Sequence, residues 1–186
     1  MTVPNILSLF RLCLVPVYVG VYFSGGPLSK AYAALVYAVA SLTDILDGKI
    51  ARKYNQVSRL GRILDPLGDK MMTFAVLLCI TLSKVIPVWA IVIFIIKELA
   101  MALGGMILYK KLNDMPPSNY FGKVSTVVFF IVCVMLMLFD FRKETATALI
   151  SFALAVMLFA FASYLIRYIQ LIKRRNGKSA DDERQS

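Results

Sequence analysis

The chain has 186 residues, 59% of them hydrophobic and 17% charged, with a mean hydropathy of +0.73. Soluble domains are about 45–50% apolar, so water is excluded as the solvent for most of this surface, and one compact integral membrane domain is expected. The formal charge of +10 collects at the ends of apolar segments, as topology signals do, and this distribution argues against a nucleic-acid groove.

Six apolar spans are predicted, at about 5–23, 31–52, 60–82, 86–109, 121–140 and 146–171. The first lacks a charged leader and is interrupted by Arg11, unlike a cleavable signal peptide; it ends at SGGP, 24–27. The second and third flank the polar NQVS at 55–58, and Lys84 and Pro87 separate the third from the fourth. KKLNDMPPSN at 110–119 precedes the fifth, DFRKET at 140–145 precedes the sixth, and no internal repeat appears. Barrel-type alternation is absent, and helices satisfy their own backbone in lipid. The expected fold is therefore an all-α integral membrane protein with six transmembrane helices over residues 1–172. Residues 173–186 are expected to form a solvated basic and polar cytoplasmic tail, drawn to anionic lipid.

Orientation follows from the cations. Lys49, Arg52, Lys53, Arg59 and Arg62 crowd one connection, Lys110, Lys111 and Lys123 another, and Lys173, Arg174, Arg175, Lys178 and Arg184 the tail. The opposite connections are poorer, so both termini and the 49–62 connection are expected on the cytoplasmic side of the cell membrane. Cys13, Cys79 and Cys133 lie in separate apolar runs and read as buried, reduced packing residues. The sequence has no histidine, so a general base must be a carboxylate, lysine, tyrosine or cysteine.

Residues 41–70 hold four aspartates, Asp44, Asp47, Asp65 and Asp69, among charges that are otherwise basic. On a helix, Asp44, Asp47, Gly48 and Ala51 share one face, as do Gly61, Asp65 and Asp69 on the next. The short connection makes the two helices antiparallel neighbours, bringing four carboxylates together at their cytoplasmic ends. Unpaired, these would repel one another severely at membrane depth. One or two hard divalent cations, Mg2+ or Mn2+, are the compact compensation, and both suit a phosphate substrate. A salt-bridge network with the neighbouring arginines is the plainer alternative, and a cation carrier or channel the non-enzymatic one. Transport would require carboxylates along a path through the bilayer, and here they share one depth.

The pattern Asp44-x2-Asp47-Gly48-x2-Ala51-Arg52-x8-Gly61-x3-Asp65-x3-Asp69 resembles the full signature of the CDP-alcohol phosphotransferases. Eight fixed residues match by chance on the order of once in ten billion starting positions. The resemblance implies a homodimeric enzyme that splits a CDP-linked donor, releases CMP and passes the phosphatidyl group to an alcohol. It implies two metal ions held by Asp44, Asp47 and Asp65, with Asp69 assisting and taking the acceptor's proton. Gly48, Ala51, Arg52 and Gly61 would shape the nucleotide pocket.

The opening VPNILSLFRL resembles the phosphatidylglycerophosphate synthase and cardiolipin synthase branch, in which Asn5, Ser8 and Arg11 would contribute to the donor site. That branch implies CDP-diacylglycerol as donor. Lys97 and Glu98 lie deep in the fourth span; a private pair between them is unexpected, since adjacent helical residues point about 100° apart, and Lys97 is expected to line the acceptor pocket. Gly122, Lys123 and Thr126 fall where the branch has Gly-Lys-x-Lys-Thr, with Ser125 replacing the second lysine. Lys97, Lys123 and Thr126 are thus the expected acceptor residues. Glycerol 3-phosphate is the first expected acceptor. Phosphatidylglycerol is the alternative, since fewer cations remain for a dianionic phosphate.

Overall fold

The computed structural model describes residues 3–54, 61–112 and 120–185, with side chains at 6–44, 67–106 and 120–166. It is all-helical, with six helices: α1 Val3–Tyr22, α2 Ser29–Tyr54, α3 Gly61–Leu82, α4 Val88–Leu112, α5 Tyr120–Leu138 and α6 Lys143–Gln185. Three stretches, Val88–Met106, Tyr120–Leu138 and Lys143–Ile166, are long and apolar enough to cross a membrane, and Ile6–Tyr22 is a shorter apolar helix. The chain is therefore a membrane protein by its helices. α2 and α3 have the length of spans, 26 and 22 residues, but each carries a cluster of charged residues at one end.

The helices form two compact units. The first comprises residues 1–91 and 133–147, the second residues 92–132 and 148–186. Within the first, among the described residues, α1 packs on α2 and on α3, and α2 and α3 also touch each other. The α2–α3 neighbourhood expected from their short connection is present. Each helix does this with one stripe at helical spacing: Ser8, Arg11, Tyr18 and Tyr22 on α1, Ala33, Tyr37 and Ala40 on α2, and Met72, Val76, Cys79 and Ile80 on α3 are all buried. The alanines of α2 let its backbone approach closely. The Tyr18 hydroxyl, fully buried, donates to Met137 Sδ at 3.3 Å.

Cys79 and Cys133 are buried as expected, but Cys13 is exposed. It stands two residues from Arg11, about 200° round α1, and so faces away from the packed stripe. Hydroxyls inside the helices are satisfied by their own turns: Ser41 Oγ donates to the Tyr37 carbonyl at 2.9 Å and Thr81 Oγ1 to that of Leu77 at 2.7 Å. This is the local solution in surroundings without water.

In the second unit Phe94 of α4 stacks on Phe129 of α5, with ring centroids 5.8 Å apart, and Phe121 of α5 meets Phe159 of α6 edge-on. Here the structure corrects one expectation. Lys97 Nζ and Glu98 Oε1 do meet, at 2.7 Å, with side chains only 10% and 17% exposed. The divergence of their Cα–Cβ bonds is overcome because both side chains are long and flexible, and an apolar helix offers a strong incentive to pair. α6 continues to Gln185, beyond the end of the expected sixth span. Extending an existing helix needs no new nucleus, and Lys178, Asp182 and Glu183 are compatible with helical continuation.

α3 ends in a Schellman motif. The Lys84 amide donates to the Thr81 carbonyl at 2.9 Å and the Val85 amide to that of Ile80 at 3.2 Å, with Lys84 in the left-handed region at φ 58°. At the junction of α5 and α6, Lys30 Nζ lies 2.9 Å from Asp140 Oδ1, and the Lys30 ammonium holds that carboxyl below the usual carboxylate range.

Lys84→Gly removes the left-handed penalty of a Cβ-bearing residue and is expected to stabilise the protein by about 1 kcal/mol, read as a raised unfolding midpoint in detergent. Lys97→Met removes the cation 2.7 Å from the Glu98 carboxylate in apolar surroundings and should lower the unfolding midpoint; the double change Lys97→Met, Glu98→Leu should recover part of that loss in the same measurement. The exposed Lys30–Asp140 pair should contribute fully above the ordinary carboxylate range near about pH 4 and fade as pH falls through the lowered folded value. The difference between wild type and Asp140→Asn should therefore be small at pH 7, vanish in acid, and vanish in about 1 M salt.

Candidate functional site

The inward stripe of α2, Ala33, Tyr37 and Ala40, continues one turn further to Asp44, which is why that carboxylate points toward α1 rather than away. It meets Arg11: Nη1 lies 2.8 Å from Asp44 Oδ1, with the arginine side chain 1% exposed and the aspartate 43%. The guanidinium is thus inside the unit, while the carboxylate stands at its rim. Arg11 also lies against α3. A Cβ built on Gly68 would stand 3.6 Å from Arg11 Cδ, 3.7 Å from its Nη1 and 3.6 Å from the Ser8 carbonyl oxygen. Those are ordinary van der Waals distances, which a larger side chain would close.

Asp69 follows Gly68 directly and is partly buried. Its carbonyl accepts a hydrogen bond from Thr73 Oγ1 at 3.0 Å. The hydroxyls of Thr73 and Tyr37 are hydrogen-bonded, and Asp69 lies within electrostatic reach of Tyr37. Tyr37 and Thr73 were not among the expected site residues. Their spacing carried the signal, since Tyr37 is seven residues before Asp44 and Thr73 four after Asp69, each on the same helical face.

Asp47 lies in α2 and Asp65 in α3, both in continuous helix, so the backbone spacing behind the shared-face expectation is present. The side chains of Asp47, Arg52 and Asp65, like Asn5, Gly48, Ala51 and Gly61, fall outside the described side chains. Among the described residues no group of three metal-ligating side chains gathers. The donors that are described, a rim carboxylate on α2 and a partly buried one on α3, are hard oxygens suited to magnesium or manganese.

Ser8 and Arg11, expected at the donor, are buried at 0% and 1% exposure. The expected acceptor residues belong to the second unit. Lys97 is engaged by Glu98. Lys123 and Thr126 are exposed on α5, and the Thr126 hydroxyl donates to the Gly122 carbonyl at 3.0 Å. Ser125 faces the other way, buried, with its hydroxyl 2.8 Å from the same carbonyl. The inward side of this turn therefore presents a hydroxyl where the resemblance led one to look for a cation.

Comparison with known proteins completes the site. The family model for CDP-alcohol phosphatidyltransferase matches residues 1–169. A cardiolipin synthase (CMP-forming) of Streptomyces coelicolor is 36% identical over 129 residues, 68% of this chain and 60% of its own length. The CDP-diacylglycerol–glycerol-3-phosphate 3-phosphatidyltransferase of Aquifex aeolicus is 39% identical over 129 residues, covering 68% of this chain and 70% of the relative. The enzyme of that name from Bacillus subtilis is 30% identical over 135 residues, 66% and 69% of the two chains. The chain thus spans about three-fifths of the Streptomyces relative. With the aspartate signature running through α2 and α3 and the family model reaching from α1 into α6, the chain belongs to the CDP-alcohol phosphatidyltransferase family.

Proposed function

We propose that this protein is a CDP-diacylglycerol-dependent phosphatidyltransferase with glycerol 3-phosphate as acceptor, a phosphatidylglycerophosphate synthase. The observation that carries the reading is the complete aspartate signature on two continuous helices of a family member. The glycerol 3-phosphate acceptor draws support from the Aquifex and Bacillus relatives, of which the chain covers 70% and 69%.

In this reading all six helices cross the cell membrane, with the signature at the cytoplasmic ends of α2 and α3 and two copies forming a homodimer. Asp44, Asp47, Asp65 and Asp69 hold magnesium or manganese, which when bound supplies positive charge to neutralise the donor's pyrophosphate and the departing phosphate. Gly48, Ala51 and Gly61 keep the backbone bare where the cytidine lies flat, with Asn5 and Arg52 at its edges. Asp69 takes the proton of the acceptor hydroxyl, whose oxygen bonds to the phosphorus bearing diacylglycerol. The bond from that phosphorus to CMP breaks, and CMP leaves. A carboxylate beside positive charge stays ionised, as a base must. Lys97 and Lys123 meet the acceptor's phosphate, and Thr126 supports that turn.

One observation favours a second acceptor. With Ser125 inward and Lys97 beside Glu98, positive charge available for a dianionic phosphate is reduced. Phosphatidylglycerol, whose phosphodiester carries a single charge, needs less, and the Streptomyces relative carries the name cardiolipin synthase.

CMP release by the purified protein in detergent, with CDP-diacylglycerol and Mg2+ or Mn2+, tests both. Metal-dependent release with glycerol 3-phosphate is expected, falling about 10²–10⁴-fold in Asp69→Asn. Release only with phosphatidylglycerol would make the second acceptor correct. No release with either would sink the phosphatidyltransferase reading.

A further inference from the structure

We infer that Arg11 is a positioning residue that sets Asp44 and registers the two aspartate-bearing helices, rather than a ligand of the nucleotide donor. The inference rests on the proposed role of the aspartates as metal ligands. A shared metal centre requires the carboxylates of α2 and α3 to be held to within a fraction of an ångström. Among the described residues α1 packs on both helices, and so helps to fix their relation.

Arg11 is where that packing becomes chemical. Its Nη1 is 2.8 Å from Asp44 Oδ1 on α2. Its Cδ and Nη1 run past Gly68 on α3, the residue before Asp69, at distances that leave room for a Cβ and little more. Ser8, one turn earlier on α1, is fully buried and brings its carbonyl to the same glycine. One guanidinium therefore pairs with α2 and passes α3 with the room of a methyl group between them, beside an aspartate of each. At 1% exposure it offers no surface to a nucleotide, and it cannot turn outward without leaving Asp44.

The choice of arginine follows. A planar guanidinium fixes the direction of its hydrogen bonds, whereas an ammonium on a flexible stem is a point charge. Fixing a ligand's carboxylate from behind is the usual way a metal site is oriented, and disturbing such a partner costs about 10–100-fold in metal affinity. The cation also offsets part of the mutual repulsion of the four carboxylates when no metal is bound.

Two measurements on the full chain in detergent test this, and neither needs turnover. The first compares unfolding midpoints in chelator for Asp44→Asn, Asp47→Asn, Asp65→Asn and Asp69→Asn. The last three relieve repulsion and should leave the midpoint unchanged or raise it. Asp44→Asn removes a carboxylate that pairs with a buried guanidinium and should lower the midpoint. The second measures Mn2+ binding by electron paramagnetic resonance. Arg11→Lys keeps the charge and loses the geometry, so its Mn2+ dissociation constant should rise about tenfold or more, with donor KM unchanged at saturating metal. A raised donor KM with wild-type Mn2+ binding would return Arg11 to the donor site. A lowered midpoint with both constants unchanged would reduce it to packing alone, and a rise for Asp44→Asn like that of the other three would overturn the pairing. If Arg11→Lys does not fold, the four asparagine variants decide. Failure of wild type to release CMP would sink the function and leave these outcomes readable.

Discussion

An arginine buried in an apolar helix is the constraint around which the first unit is arranged. Transfer of an uncompensated charge into such surroundings costs several kcal/mol, so the structure must supply a carboxylate at the depth and angle of Arg11. Asp44 supplies it, at the point where the alanine-rich stripe of α2 ends. Gly68 of α3 lies on the other side, with room for a Cβ between it and the arginine. The same contact therefore satisfies a buried cation and orients a carboxylate at the rim, and the geometry proposed for the chemistry depends on a requirement of packing.

The two units differ in how they meet the demands of an apolar environment. In the second, α4, α5 and α6 are long, apolar and stacked through phenylalanines, and among the described residues Ser125 and Thr126 bond to one carbonyl of their own helix and Lys97 meets its neighbour Glu98. In the first, polar side chains bridge between helices: Arg11 to Asp44, Tyr18 to Met137, Tyr37 to Thr73. Bridges of that kind specify how helices sit against one another, whereas apolar surfaces tolerate sliding.

The helices were legible because their signals are local. Apolar length and the breaks at SGGP, Pro87 and DFRKET located the six helices, and the aspartate spacing marked α2 and α3 as the candidate functional pair. What escaped was side-chain reach and helix choice. Residue direction at Cβ does not forbid a Lys97–Glu98 contact made four bonds further out. The exposed Cys13 was legible in principle, since it falls off the stripe through Ser8, Arg11 and Tyr18, but cysteine's general tendency to be buried concealed it. Adjacency in sequence marked α2 and α3 as neighbours but gave no sign that α1 packs on both. The continuation of α6 through Gln185 was hidden by composition, because a charged segment reads as solvated whether or not it is helical.

The pairing of Arg11 with Asp44 also bears on how the protein is made. In the proposed six-span arrangement α1 emerges from the ribosome before α2, so Arg11 would meet the bilayer before Asp44 has been made. An arginine at the centre of an inserting helix carries a cost of about 2.5–3.5 kcal/mol on insertion scales, a heavy burden for an apolar helix as short as α1. In that arrangement the two helices would be best delivered together, as a hairpin closing over the SGGP turn, with the ion pair formed as the segments leave the translocation machinery.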